Sequence, residues 1–147
     1  VPKHPQLNEV IFTNKNDHFK ILDDKIILRK SQPNNDQVFD VLIFAMRDVK
    51  EVKIPSYVKV IGSFVFSHCR KLESVTFEEN SQLEKKSEES FSNSTIKSIF
   101  IPKKVKKIGD CAFLECDKIK SVTFADDSEL QTIGKKAFFD SSLEKYF

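Results

Sequence analysis

Apolar residues return along this chain in a short phrase, Leu-x-x-Val-x-Phe or a close variant, that opens at Val49, Leu72, Ile96, Ile119 and Leu143, in steps of 23, 24, 23 and 24 residues. Each phrase predicts a strand, because Val52 and Ile54, Val75 and Phe77, Ile99 and Ile101, and Val122 and Phe124 alternate with polar neighbours at the two-residue period of a pleated chain. A second apolar pair follows: Val58 with Ile61, Val105 with Ile108, Leu130 with Ile133. It is long enough only for a brief strand or turn. The phrase Ile-Gly-x-x-Ala/Val-Phe then closes the unit at 61–66, 108–113 and 133–138. Its Phe is expected to plug the core from a single helical or 3₁₀ turn. Fixed periods of this size predict a solenoid. The fold class is mainly β, with one parallel strand per unit of 23–24 residues and helices of one or two turns at most.

A longer period of 47 overlies the short one. It sets Ile54-Pro55 on Ile101-Pro102, Ile61-Gly62 on Ile108-Gly109, Phe66 on Phe113, Cys69 on Cys116 and Phe77 on Phe124. Its cause is an alternation in how strands end, in Ile-Pro or in Phe followed by an acidic loop (Glu78-Glu79, Asp126-Asp127). Proline has no N–H to give and is tolerated only at the end of a paired strand. All three glycines, Gly62, Gly109 and Gly134, share one repeat position, so the backbone there needs positive φ or lacks room for a Cβ. One unit departs: it has Lys86-Ser87 for Ile-Gly and Ser90 for Ala, and is expected to be the loosest.

Before residue 49 the register is degenerate. Leu7, Val10 and Phe12 repeat the opening phrase, and Asp23-Asp24 between two apolar stretches predicts a hairpin over 19–28. Residues 31–37 read as a loop and 38–45 as a returning strand. The chain is therefore one domain, 1–147, with a degenerate unit over 1–48 carrying an inserted hairpin and regular repeats over 49–147, the last one truncated. An uncapped last strand at Leu143, Tyr146 and Phe147 is expected to favour self-association through that open end.

With 24 Lys plus Arg against 22 Asp plus Glu, the net charge of +2 gives no reason to propose nucleic acid. The longest apolar run, residues 41–46, falls far short of the roughly 20 residues of a membrane span. Cys69, Cys111 and Cys116 have neither metal-ligand spacing nor an even disulfide count, and Cys69 and Cys116 suit a tight inner turn. His4, His18 and His68 stand in no catalytic phrase, and the acidic pairs offer too few converging oxygens for calcium. No catalytic, cofactor-binding or metal-binding residues are assigned, and no cofactor is implied. Lys85-Lys86, Lys103-Lys104, Lys106-Lys107 and Lys135-Lys136 could stack into a basic stripe that attracts heparin-like glycans or an anionic membrane, and Asn93-Ser94-Thr95 fits the glycosylation sequon.

The unit spanning 96–116, with Ile96, Ile99, Ile101-Pro102, Val105, Ile108-Gly109, Ala112-Phe113 and Cys116 at their positions, resembles the BspA-like leucine-rich repeat. The likeness covers 49–147 well and 1–48 in degenerate form. It implies a curved, right-handed solenoid with parallel strands on the concave side. It also implies a non-catalytic module of a secreted or cell-surface protein that binds a protein or surface glycan, as in host-matrix adhesion; an intracellular scaffold is the alternative.

Geometry supplies the candidate surface. If the apolar residues of each strand point in, those between them point out and stack across neighbouring strands about 4.8 Å apart. One column reads Glu51, Ser74, Ser98, Ser121 and the next Lys53, Thr76, Phe100, Thr123. The candidate partner-binding face is therefore Lys53, Ser74, Thr76, Ser98, Phe100, Ser121 and Thr123, with Phe100 as its aromatic anchor.

Overall fold

A computed structural model describes residues 18–32 and 38–141. The predicted strand at Leu7–Phe12 and the truncated unit at Leu143 lie outside the described residues. Where the chain is first described, β1 (Phe19–Leu22) and β2 (Ile26–Arg29) pair antiparallel. Asp23 and Asp24 join them, both with φ of 54°, and the Lys25 N–H donates to the Leu22 carbonyl at 3.0 Å. Two successive left-handed residues give the turn the native twist of the strands, and Lys25 completes the three-residue connection between Leu22 and Ile26. β3 (Val41–Ala45) then pairs antiparallel with β2 and parallel with the solenoid, making the hairpin the first layer of the stack.

Four units follow, over 49–71, 72–95, 96–118 and 119–141, here called A to D. Each contributes a four-residue strand: β4 (Glu51–Ile54), β6 (Ser74–Phe77), β8 (Ser98–Ile101) and β10 (Ser121–Phe124). Each then adds a two-residue strand: β5 (Val60–Ile61), β7 (Lys85–Lys86), β9 (Lys107–Ile108) and β11 (Thr132–Ile133). The short strands join the hairpin in one seven-stranded sheet, ordered β1-β2-β3-β5-β7-β9-β11. Between the layers runs a single core in which Ile54, Ile61, Phe66, Leu72, Ile96, Ile101, Ile108 and Phe113 are at most 1% exposed.

The third side of each unit differs from the expected helical turn. Among the described residues there is no helix. Segments 63–68, 88–93, 110–115 and 135–140 are runs of turns carrying left-handed residues four apart: Phe64 and His68, Glu89 and Asn93, Cys111 and Glu115, Lys136 and Asp140. Each left-handed residue reverses the direction of the next peptide, so N–H groups point alternately within the unit and out of it. Inside unit C, Ala112 bonds Gly109 at 3.3 Å and Leu114 bonds Cys111 at 3.1 Å. Outward, Cys111, Phe113 and Glu115 donate to Lys135, Ala137 and Phe139 of unit D at 2.9, 2.7 and 2.7 Å. Units A and B bond their successors alike, through Phe66 to Ser90 at 2.7 Å and Phe91 to Ala112 at 2.8 Å. The Phe plugs ride on this ladder and stack, Phe66 on Phe91 at 4.9 Å, Phe91 on Phe113 at 5.1 Å and Phe113 on Phe138 at 5.3 Å.

In unit A the corresponding carbonyls, Val65 and Ser67, have no preceding turn to bond them among the described residues. Arg47 takes its place: its guanidinium donates to both, and to the Ala45 carbonyl, while lying over the Phe44 ring at 4.8 Å. A planar fork with five donors suits several carbonyls at once.

The glycine slot has the second of its two expected causes. No glycine has positive φ. A Cβ on Gly109 would stand 2.6 Å from Glu88 N and Ser87 C, the backbone of the preceding unit. At Gly62 the nearest atom, the Leu42 carbonyl oxygen, would be 3.1 Å away.

The 47-residue period also acquires a cause. β4 pairs with β6 and β8 with β10, but no ladder joins β6 to β8. The N–H just after the strand closes the A–B and C–D joints, through Glu78 to Ile54 at 3.1 Å and Ala125 to Ile101 at 3.2 Å. At the B–C joint that position is Pro102, which has no N–H. Unit B is also one residue longer than A and C, and within it the Thr95 hydroxyl bonds the Leu72 carbonyl at 2.7 Å. The solenoid is thus built of A–B and C–D pairs, with a seam down its long-strand face.

Candidate functional site

Alternation along the long strands sends Val52, Ile54, Val75, Ile99, Ile101 and Val122 inward. It leaves Lys53, Thr76, Ser98, Phe100, Ser121 and Thr123 exposed and Ser74 half-buried. Register places Glu51 beside Ser74 and Lys53 beside Thr76. On the other side of the seam it places Ser98 beside Ser121 and Phe100 beside Thr123. The expected columns therefore form within each pair of units and are interrupted between them. Phe100, 49% exposed, stands at the edge of that interruption.

At the strand ends the seam opens into a groove of about 730 Å³. Phe77, Phe100, Pro102 and Ala125 make its apolar surface, and Glu78, Glu79, Lys103 and Lys104 are among its polar lining. Several rim groups are fixed: Glu78 Oε1 accepts the Ser56 N–H at 2.8 Å, Lys104 Nζ donates to Gln82 Oε1 at 3.0 Å, and Lys103 pairs with Asp127 at 3.0 Å. The result is an apolar surface edged by both acidic and basic side chains. It can hold an apolar side chain and orient the charges that flank it. Alternation located Phe100 in advance, but the groove was hidden, because it depends on Pro102 and Phe77 meeting across two units.

The basic stripe requires correction. Lys86 is fully buried, because its backbone pairs with Ile61 and Ile108 in the short-strand sheet and its side chain follows theirs into the core. The other lysines of the expected stripe are exposed, and Lys85 and Lys107 lie side by side. Asn93 of the sequon is half-buried at a left-handed turn position.

Reactive chemistry finds little support in the side chains. Ser67 Oγ lies 2.9 Å from His68 Nδ1, but the hydroxyl is buried and also meets Ser92 Oγ at 3.0 Å, which ties it into the turn ladder. Burial pushes the Cys69 thiol up to about 11, and burial likewise raises Cys116. Among the described residues no three His, Cys, Asp or Glu side chains converge as metal ligands, and no helix is long and apolar enough to cross a membrane. A second cleft, of about 460 Å³, is lined by Asp24, Lys25, Asp48, Lys50, Glu51 and Glu73 among others, and mixes both charges without an aromatic anchor.

Comparison with curated proteins finds no match. Among solved structures the fold is similar to that of the pneumococcal vaccine antigen PcpA, with a TM-score of 0.60 and 19% identity over 87% of this chain and 43% of that one. Weaker likenesses are to a leucine rich cell surface protein from Faecalibacterium prausnitzii (TM-score 0.46, 16% identity, 94% and 56% covered) and a leucine-rich repeat protein from Bacteroides ovatus (0.42, 20%, 80% and 48%). The chain thus spans 43–56% of the length of these proteins. The BspA-type leucine-rich repeat region matches in six copies over residues 40–147. With the repeat phrase, the stacked Phe plugs and this match in agreement, the chain belongs to the BspA-type leucine-rich repeat family.

Proposed function

We propose that this chain is a non-catalytic binding module that captures an extended peptide segment of a protein partner in the groove at the B–C seam, with Phe100 as anchor. The observation that carries this reading is a half-exposed aromatic beside a groove of about 730 Å³, on a face otherwise composed of small hydroxyl and charged residues. Buried aromatic anchors supply most of the energy of such contacts, while the surrounding rim supplies orientation. Charge complementarity defines the occupant. It carries a large apolar residue for the Phe77–Phe100 floor, a basic residue towards Glu78 and Glu79, and an acidic one towards Lys103 and Lys104. Family resemblance and the printed description of PcpA as a vaccine antigen support a position at a cell surface, which labelling of intact cells with an antibody against the chain would test.

The experiment is selection of displayed random peptides on the intact chain, followed by affinity measurement on Phe100→Ser and on Lys104→Glu. Loss of a hot-spot aromatic is worth about 2 kcal/mol, or about 30-fold in affinity. Selected peptides should carry the stated pattern, lose about that much on Phe100→Ser, and weaken on Lys104→Glu only when they contain the acidic residue. Peptides of unrelated pattern that bind Phe100→Ser as well as the parent would refute the reading.

A further inference from the structure

Unit B conceals an amine. Where the repeat has Ile61 and Ile108 it has Lys86, with 0% exposure, no hydrogen-bond partner for Nζ, and the rings of Phe77, Phe91 and Phe113 at 5.4, 5.5 and 5.5 Å. Ser90 Oγ, in the place of Ala112 and Ala137, is a second buried polar atom without a partner. The surroundings come from β5, β6, β7, β9 and the turns at 88–93 and 110–115. Glu78, Glu84, Lys85, Glu88, Lys107, Asp110 and Glu115 on or beside these elements are exposed, and Glu89 is half-buried. Burial alone acts on the amine and holds it well below the ordinary lysine range, with no neighbouring charge contributing. Ring faces attract an ammonium by only about 0.5–2 kcal/mol each and accept no conventional hydrogen bond, whereas taking an ion out of water costs several kcal/mol. Burial therefore favours the neutral amine when the core is closed.

Phe77 is common to two places: it packs on the amine and it lines the groove. It is half-buried, and it stands at the seam where no ladder joins β6 to β8. Moving it aside breaks no inter-strand bond between units B and C on that face, so water enters there, and solvation of Nζ then parts the B–C bonds of Phe91 to Ala112 and Gly109 to Lys86 and loosens Glu78 beside Phe77. We propose that Lys86 is a proton-operated catch for this seam: uptake of a proton by the amine opens the core at Phe77 and dismantles the groove, which then grips its peptide at alkaline pH and releases it on acidification.

The release step rests on the binding reading above; the opening step does not. In the open state Lys86 has an ordinary pKa of about 10.4. The open form therefore binds a proton that the closed form rejects, and the opening constant rises about tenfold for each unit by which pH falls below that value, levelling off once the closed form also takes up the proton. Native-state hydrogen exchange of the whole chain, corrected for intrinsic rates, measures this. From pH 9 towards pH 7, protection at Glu78, Phe91 and Gly109 should fall steadily, by at most about tenfold per pH unit, while Lys25 and Gly134 stay level. In Lys86→Met, and in Lys86→Ile should Met pack poorly, all five amides should be level. A flat profile in the parent, a fall shared by all five amides, or a fall that survives both substitutions would each overturn the catch. Affinity of a selected peptide should drop over the same range in the parent and not in Lys86→Met; exchange that behaves as stated alongside peptides indifferent to Phe100 would sink the groove reading and leave the opening intact.

Discussion

Phe113→Ala tests the central packing claim. Phe113 is fully buried and stacked on both faces, by Phe91 at 5.1 Å and Phe138 at 5.3 Å. Truncating a buried Phe to Ala costs about 3–5 kcal/mol, and each lost ring pair adds about 0.5–1.5 kcal/mol beyond area. The expected loss is therefore near the upper end, about 4–5 kcal/mol, out of a total of about 5–15 kcal/mol for a domain. At an unfolding entropy of about 2.1 cal/mol/K per residue, a loss of about 4 kcal/mol lowers Tm by about 13 °C for a chain of this size. Urea unfolding followed by circular dichroism gives the free energy, and the series gives the logic. Phe91→Ala should match Phe113→Ala, Phe66→Ala with one ring neighbour in the stack should cost less, and half-buried Phe138→Ala least. Because each unit is held by its neighbours, the loss at Phe113 should extend into B and D and can lower the m-value if the stack separates there. Equal losses at Phe113 and Phe138, or a loss below about 1 kcal/mol at Phe113, would refute the plug as the organising contact.

Gly109→Ala places a Cβ against the backbone of Ser87 and Glu88 and should cost about 1–3 kcal/mol, whereas Gly62→Ala, with 3.1 Å to its nearest atom, should cost clearly less; paired urea curves distinguish them. Arg47→Met removes charged donors from the carbonyls of Ala45, Val65 and Ser67, an expected loss of about 2–3 kcal/mol concentrated, by hydrogen exchange, in unit A. In the native chain at pH 8 an aromatic disulfide reagent should label half-buried Cys111 and spare Cys69 and Cys116, whose thiols burial raises; rapid labelling of all three would mean the inner turn is open.

The strand phrases, the Phe plugs, the hairpin at Asp23-Asp24 and the outward place of Phe100 were all legible, because each is a local rule of alternation or turn chemistry repeated in register. The turn geometry was not. Phe64 and Cys111 are left-handed although neither residue type favours that region, and only the inter-unit ladder holds them there. Arg47 reads as one more surface charge until Val65 and Ser67 are seen to need donors. Lys86 reads as part of a basic stripe because composition has no register; its pairing with Ile61 and Ile108 does. The Pro102 alternation was visible as spelling, but its effect is an absence of bonds between β6 and β8, and so belongs to two units at once.

The turn ladder is a one-way arrangement: every out-of-unit N–H in it points to the following unit and every waiting carbonyl faces the preceding one. The stack therefore has chemically unlike ends, like a row of plugs and sockets. An arginine can close the socket end, as Arg47 does, but grafted onto the plug end it would meet donors with donors. A terminator engineered there has to accept hydrogen bonds, from carboxylates or backbone oxygens, and units moved between such proteins can be joined in one orientation alone.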